Sequence, residues 1–440
     1  MTHNEKIQLL AGQIKNRAST GKPLSFAKKS VSHVVPNTGK KEAEEKIYIG
    51  ELDQIIRIDA ADKICEAESG VTFYDLVRRT LPLGLVPYVV PELKGITIGG
   101  AVSGCSIEAM SYKYGGFHDT CLEYEVISAD GEIIVCSREQ NSDLFEMVHG
   151  SYGTLGLITK LKFKLYPAKP FVKMTYKKFD KFDVFYPYLL ERCERGDYEF
   201  VDAIIHSPNC FIACLGQMVD TAPYTSSYEW LSIFYKSTAE RDEDYMKTGE
   251  YFFRYDAECH WLSKTILILE FKPVRFLFGK LFLGSTNMIK WARRLSGIFQ
   301  KTKLRPEVVV DVFIPSKKFT DFWRWYEKDF NFFPLWIVPY KMPWGVYPWV
   351  NPAHAERAGE NFIIDAAIYG KKNNDPKIDY SELLENKVFE LNGLKTLISR
   401  NHYNHARFAQ IYNLELYNRV KQKTDPRNLF GTIYERMVGR

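Results

Sequence analysis

Two glycine-bearing turns are the part of this sequence best suited to hold an anion. The first runs from Thr97 to Ala101 with Gly99 and Gly100 at its centre; the second runs from Gly150 to Gly156 and feeds Leu157, Ile158 and Thr159. Glycine has no Cβ, so the backbone there can approach a ligand closely and take positive φ. Bare N–H groups in such turns form an anion-accepting nest, and a pyrophosphate is the anion that suits it. Thr97 and Ser103 add hydroxyl donors. No G-x-G-x-x-G run occurs anywhere, so a Rossmann dinucleotide site has no support.

Groups that carry protons cluster elsewhere. Arg400, Asn401, His402, Tyr403, Asn404 and His405 form a dense polar run, and His118 adjoins Asp119 shortly after the first turn. A tyrosine keeps its proton at neutral pH and a histidine exchanges one, so both suit proton transfer. Metal chemistry has little to rest on. His206, Cys210 and Cys214 come nearest to a ligand set, but their spacing matches no common zinc pattern, and buried thiols are the better reading. The eight cysteines are scattered without a disulfide framework, which favours a reducing compartment.

The elements that must position these groups follow from periodicity. Lys6 to Arg17 reads as a short amphipathic helix, with Ile7, Leu10 and Ile14 near helical spacing. Short strands are expected at Leu24–Phe26, Val31–Val35, Lys46–Ile49, Gln54–Ile58 and Lys63–Ala67. Thr72 should cap a helix over Phe73–Arg79, which Pro82, Gly84 and Pro87 end. Asp130-Gly131 is a strong hairpin turn between strands Tyr124–Ser128 and Glu132–Cys136. Asn141 to Asp143 starts a helix, and Leu157–Leu165 alternates as a half-buried strand. Pro167 and Pro170 mark a boundary, after which strands recur with helices at Phe182–Arg195 and Phe319–Tyr326, the pattern of a second α+β domain. The tail should be helical from Ala406 to Lys423.

Length and composition agree with this division. A chain of 440 residues with 45% hydrophobic and 26% charged residues is ordinary globular material for two or three domains. The net charge of +5 is spread along the chain, so no nucleic-acid footprint is indicated. Met1 to Ser19 lacks the apolar core of a signal peptide, and the longest apolar run, Phe332 to Tyr340, is interrupted by Pro334 and Pro339. A cytoplasmic placement is therefore expected, at most peripheral to a membrane. Residues 271–294 supply the peripheral contact: Phe and Leu residues alternate there with Lys272, Arg275, Lys280, Lys290, Arg293 and Arg294, which is what an in-plane membrane segment needs. Phe332 to Tyr340 with Trp344, Tyr347 and Trp349 would line an apolar substrate cavity.

Taken together, the Thr97–Gly100 turn, Tyr114-Gly115, the Asp130-Gly131 hairpin, Gly153 to Thr159 and the tail run Asp425 to Phe430 resemble the FAD-binding domain of the vanillyl-alcohol oxidase (PCMH) type. Within it, Pro91 to Leu93, Gly104 to Glu108, Lys113 to Gly115, Asn141 to Phe145, Pro167 to Lys169, Phe333 to Pro339 and Tyr403 to Tyr417 are most similar to the sterol delta-24 reductase family. The resemblance covers the chain from about residue 24 onward. It implies an α+β protein made of a two-part FAD-binding domain (residues 1–168), an α+β substrate or cap domain with an antiparallel sheet (169–395), and a C-terminal segment (396–440) returning to the FAD domain.

It further implies that Thr97, Ile98, Gly99, Gly100, Ala101, Ser103, Gly104, Cys105, Ser106, Ile107, Glu108 and Ala109 wrap the cofactor, and that Gly156, Leu157 and Ile158 touch it through the backbone. Several proteins of this type attach the flavin through a histidine. Cys105, Ser106 and Ile107 stand at that part of the loop, so non-covalent FAD is expected. The early phosphate loop is glycine-rich in the family; Lys28 to His33 has lysines and serines instead, which also serve a phosphate. The implied activity is reduction of a carbon–carbon double bond in a sterol-like or isoprenoid lipid, with NADPH as electron donor. Tyr403 is then the first candidate proton donor, ahead of His402 and His405. Two other readings stay open: an FAD-dependent oxidase or dehydrogenase of an alcohol or sugar-lipid, and a non-catalytic lipid-binding protein that keeps the flavin for stability. The sequence assigns no metal and no oligomeric state.

Overall fold

The structure, a computed structural model, describes residues 1–30, 46–261, 270–288, 290–291 and 304–438. The expected strand Val31–Val35 lies outside the described residues, as do Arg293 and Arg294.

Strand periodicity in the first 168 residues builds two units. β1 (Phe26–Ala27) and β2 (Ile47–Tyr48) form a parallel pair. The helix His3–Ser19 buries Ile7, Leu10, Ile14 and Ala18 in a cluster with Leu24, Leu52, Leu157 and Phe430. Thr2 and Glu5 start this helix with a reciprocal capping box. Lys6 fixes it by donating to Glu68 at 2.9 Å, while the His3 ring bridges Glu68 and Glu125.

The second unit is a six-stranded antiparallel sheet made of β3 (Ile55–Asp59), β4 (Ile64–Glu68), β5 (Leu85–Pro87), β6 (Cys121–Ile127), β7 (Ile133–Ser137) and β8 (Leu157–Pro167), in the order β3-β4-β8-β6-β7 with β5 on the far end of β8. The hairpin turn behaves as read, with Gly131 at φ 81°. Thr72 caps Phe73–Thr80 by accepting from the Asp75 N–H.

Two local expectations change. Thr97 to Ala101 is not a turn but the start of a helix, Ile98–Ser103. Thr97 Oγ1 caps it by accepting from the Gly100 N–H, and burial of Ile98, Ala101 and Val102 offsets the poor helix propensity of two glycines. Gly99 is there for packing: a Cβ would fall 2.6 Å from that of Ser69. The tail helix is likewise two helices, His405–Ile411 and Leu414–Thr424, because Asn413 stops one and caps the other through the Leu416 N–H.

β8 ends at Pro167 and the cap sheet opens at Phe171. It holds β9 (Phe171–Phe179), β10 (Phe200–Ser207), β11 (Cys210–Val219), β12 (Glu243–Lys247), β13 (Val308–Pro315), β14 (Leu335–Lys341), β15 (Phe362–Lys371) and β16 (Leu394–Lys395), antiparallel in the order β12-β9-β11-β10-β14-β15-β13-β16. The outer face packs under the helices Phe182–Arg195, Phe319–Trp325 and Tyr380–Glu390. Phe332 and Phe333 join that outer layer rather than a substrate cavity. The inner face looks toward the first domain, and here the pattern breaks the rule that sheet cores are apolar: Asp202, Trp336, Asp365, Asp311 and Tyr369 all sit on it, in alternation with outer-facing apolar residues.

Candidate functional site

The anion cradle begins at the helix Ile98–Ser103. Its Gly100 is exposed, and a Cβ there would meet only Thr97 Oγ1 at 3.0 Å and Lys28 Nζ at 4.0 Å. A lysine ammonium therefore stands beside a backbone that nothing shields. Ser25 Oγ and Ser30 Oγ, on the same segment as Lys28, are buried without a hydrogen-bond partner. Unsatisfied hydroxyls are costly in a folded chain, and a ligand with many acceptor oxygens satisfies them. On the second loop, Gly153 takes φ 74° with no atom within 4 Å of its Cβ position. Gly156 differs, since a Cβ would strike Val126 Cγ1 at 2.5 Å, so it serves packing against β6. These residues fit a dinucleotide diphosphate.

Beyond the cradle lies a partly open cavity whose lining is mainly apolar. Gly104, Cys105 and His149 to Tyr152 form one wall; Phe313, Trp349 and Leu394 to Leu397 form the cap wall; Tyr412 to Leu414, Tyr417 and Ile433 close it from the tail. Ser103 to Ile107 are half-buried one after another, which means the loop after the glycine helix faces space rather than core. A flat aromatic ring system fits walls of this kind.

The tail is locked in place by buried ion pairing. Lys421 Nζ donates to Asp425 at 2.7 Å, to the Thr154 carbonyl at 2.8 Å and to the Gly431 carbonyl at 2.8 Å. Asp425 also accepts from the Leu429 and Phe430 N–H groups at 2.8 Å each. Tyr417 donates to Thr154 Oγ1 at 2.9 Å and accepts from the Ile433 N–H. The run Asp425 to Phe430 thus holds the tail against the second glycine loop, and Leu24 N–H donates to the Leu429 carbonyl to bring in the first unit.

Under the cap sheet the inner-face acids meet basic partners. Arg254, fully buried, donates to Glu108 Oε1 at 2.9 Å and lies 3.4 Å from Asp202 Oδ2, which also accepts from Trp336 Nε1 at 2.7 Å. Burial pushes Glu108 up to about 7, Arg254 draws it back, and the charges of Asp202 and Glu92 raise it further. Burial likewise raises Asp202 against the pull of Arg254. His260 is hydrogen-bonded to Glu92; burial alone would raise that acid, but His260 outweighs it and the net shift is downward. Asp311 accepts from Tyr369 at 2.5 Å and from Thr396 Oγ1 at 3.4 Å.

The residues expected to act chemically are scattered. Glu108 joins the acid–Arg254 network. Cys105 lines the cavity, with its thiol pKa raised by burial and then by Asp119. Tyr403 is buried against Phe408, beside Lys395, and is not among the residues lining the cavity. The His402 backbone N–H donates to Glu385, which pairs with Lys395 at 2.9 Å, and the ring Nε2 has no partner. His405 is exposed and packs on Tyr434. His118 and Asp119 are buried, with Asp119 accepting from Tyr347 and from the Gly116 N–H. Trp349 reaches the cavity, whereas Trp344 is exposed. Sequence reading missed Arg254, His260, Asp311 and His149. His149 lines the cavity, and its Nε2 pairs with Tyr124 at 2.9 Å.

Comparison with known proteins agrees with the geometry. Residues 30–137 match the family described as FAD binding domain. Delta(24)-sterol reductase of Homo sapiens is 26% identical over 90% of this chain and 78% of its own length. Delta(24)-sterol reductase of Pisum sativum is 26% identical over 98% of this chain and 83% of its own. Cytokinin dehydrogenase 1 of Arabidopsis thaliana is 30% identical, but over only 30% of this chain and 24% of its own.

Proposed function

We propose that this chain, an FAD-dependent oxidoreductase similar along most of its length to Delta(24)-sterol reductases, reduces a carbon–carbon double bond of a sterol-like or isoprenoid lipid with NADPH as electron donor. The observation that carries the reading is the extent of that similarity. It runs through the cap and tail that wall the cavity, while the similarity to cytokinin dehydrogenase covers less than a third of the chain.

FAD supplies hydride chemistry when bound; the protein supplies position, dryness and a proton. Lys28, Gly100, Thr97, Ser25 and Ser30 would hold the diphosphate and its ribose neighbours. Phe313, Trp349, Leu397 and Tyr412 keep water from the reacting carbons. Burial keeps the Cys105 thiol protonated and hence a poor nucleophile, and His149 is tied to Tyr124, which supports non-covalent FAD.

The test is anaerobic mixing of the yellow protein with NADPH, then titration with a sterol bearing a side-chain double bond. Bleaching by NADPH and return of colour with the alkene are expected, and acid precipitation should leave the flavin in the supernatant. Bleaching by an alcohol and not by NADPH would replace this reading with a dehydrogenase, and no bleaching by any donor would leave a binding protein.

A lipid substrate has to be collected from a membrane, and one surface suits that task. The helix Lys272–Phe282 is anchored from inside by Arg275, which donates to Glu258 at 2.6 Å and to the Trp230 carbonyl at 2.5 Å. Its other side presents Phe276, Leu277 and Phe278, exposed by 71, 69 and 49%, next to Phe271 at 63%. Lys272 and Lys290 are exposed nearby. Large apolar groups flanked by cations match an anionic bilayer surface. Among the described residues no helix is long and apolar enough to cross a membrane. Binding to phosphatidylserine-containing vesicles should weaken at least tenfold when Phe276, Leu277 and Phe278 are all changed to Ser, at about 1.5–3 kcal/mol per buried side chain. Unchanged sedimentation with vesicles would reject the surface, and loss of a dimer instead would assign it to a second copy.

A further inference from the structure

The β13 strand carries a wall and a core on its two sides. Val308, Val310, Val312 and Ile314 are buried in the outer layer, whereas Val309, Asp311 and Phe313 on the inner side are only half-buried. Phe313 faces the cavity, and Val309 and Asp311 lie on the same side of the strand. Phe313 lines the cavity, and so does Thr396, which hydrogen-bonds to Asp311 from the neighbouring strand end. Asp311 is not itself among the lining residues; it sits half-buried on the same side of β13 as Phe313 and is hydrogen-bonded to Thr396, both of which line the cavity.

Behind it runs a chain of proton-bearing groups. Tyr369 donates to Asp311 Oδ1 at 2.5 Å. The His260 ring lies 4.5 Å from that of Tyr369, its Nε2 pairs with Glu92, and its Nδ1 has no partner. The backbone that presents His260 is unusual: Cys259, His260 and Trp261 take φ of 46°, 51° and 46° in succession. Left-handed residues other than glycine cost free energy and persist where surroundings hold them, which is common at functional sites.

We propose that Asp311 is the acid that delivers the proton in the reduction, with Tyr369, backed by the His260–Glu92 pair, as the positioning residue that holds it in place. This rests on the reductase reading above. The π bond of the alkene breaks as a hydride, supplied through FAD from NADPH, forms one C–H bond and the Asp311 proton forms the other. NADPH is oxidised, the alkene is reduced, and the Asp311 carboxylate left behind regains a proton from solvent.

Burial raises the Asp311 pKa, Glu92 adds to this, and Tyr369, Thr396 and His260 act against it, with the net shift upward. Asp365 also faces it from β15, and Tyr152 from the first domain. An acid site for carbon needs such a donor in an apolar place. Tyr403, by contrast, is only 2% exposed, whereas Asp311 is half-buried.

The test separates the half-reactions in the FAD-loaded protein. Asp311→Asn should leave reduction by NADPH within a few-fold of wild type while slowing reoxidation by the alkene about 10²–10⁴-fold. Asp311→Glu should recover part of the rate, Tyr369→Phe should slow reoxidation less than Asp311→Asn, and Tyr403→Phe should change it less than tenfold. A second readout needs no turnover: with aspartate ¹³C-labelled at the carboxyl, the protonated-acid carbonyl band in the infrared at neutral pH should lose intensity in Asp311→Asn. Equal reoxidation rates in Asp311→Asn and wild type, or no change in that band, would overturn the proposal. If no alkene reoxidises the wild-type protein, the reductase reading fails on its own, and the infrared band still reports the state of Asp311.

Discussion

Replacing Arg254 with leucine is expected to lower the unfolding free energy by about 3–5 kcal/mol, because it removes one partner of a fully buried ion network and leaves the others behind. The guanidinium donates to Glu108, lies beside Asp202, donates to the Tyr251 carbonyl at 3.2 Å, and stacks within 4.2 Å of the Tyr251 ring and 4.9 Å of the Tyr255 ring. Leucine fills part of the volume and satisfies neither carboxylate. Urea denaturation of the FAD-loaded protein, followed by tryptophan fluorescence, measures the loss. Adding Glu108→Gln to the leucine variant should recover part of it, since one of the stranded acids is then neutral. A loss below about 1 kcal/mol would mean that the network is solvated.

The second large effect concerns pH. Glu108 is raised from the ordinary 4.5 to about 7, with burial as the main cause. Below 4.5 it is protonated in both folded and unfolded chains, and stability is at its fullest. As pH climbs from 4.5 to 7 the unfolded chain ionises while the folded one holds its proton, so the native state loses stability, by about 3 kcal/mol in all. Above 7 this contribution is flat. Denaturation at pH 5 and pH 8 should show the fall in the wild type and a shallower one, by about that amount, in Glu108→Gln. Equal slopes in the two proteins would show that Glu108 titrates normally. Asp202, also raised by burial, acts in the same direction and keeps the variant's slope from vanishing.

Much of the first domain can be read from residue order because its signals are local. A cap at Thr72, a turn at Asp130-Gly131 and alternation through Leu157–Leu165 each act over a few residues, and the structure has the helix, hairpin and strand they indicate. The helix at Ile98–Ser103 could not be read that way, since two glycines argue against it and only burial under the sheet makes it form. Asn413 breaks the tail for a similar reason: its cap bond to Leu416 competes with helix continuation, and the Asn413 N–H is taken by the Trp349 carbonyl. The acids of the cap roof left a trace that went unread. Asp202, Asp311 and Asp365 each interrupt a β-branched or apolar strand run, Phe200 to Ile205, Val308 to Ile314 and Phe362 to Ile368. A lone acid in such a run is either exposed or buried for a purpose. What sequence order could not supply is that three separate strands bring them to one face, or that Arg254 and His260 arrive from a loop between.

The latch at Lys421 also sets a schedule for synthesis. One wall of the cavity is Tyr412 to Ile433, and its anchor, the Thr154 carbonyl, belongs to a loop made more than 250 residues earlier. While a ribosome is still adding the later strands, the six-stranded sheet can fold, but the cavity remains roofless. The cavity lacks that wall until Ile433 is in place. A chain that stalls before that point would lack the Lys421 latch and the wall it holds, so any flavin bound there would be shed readily.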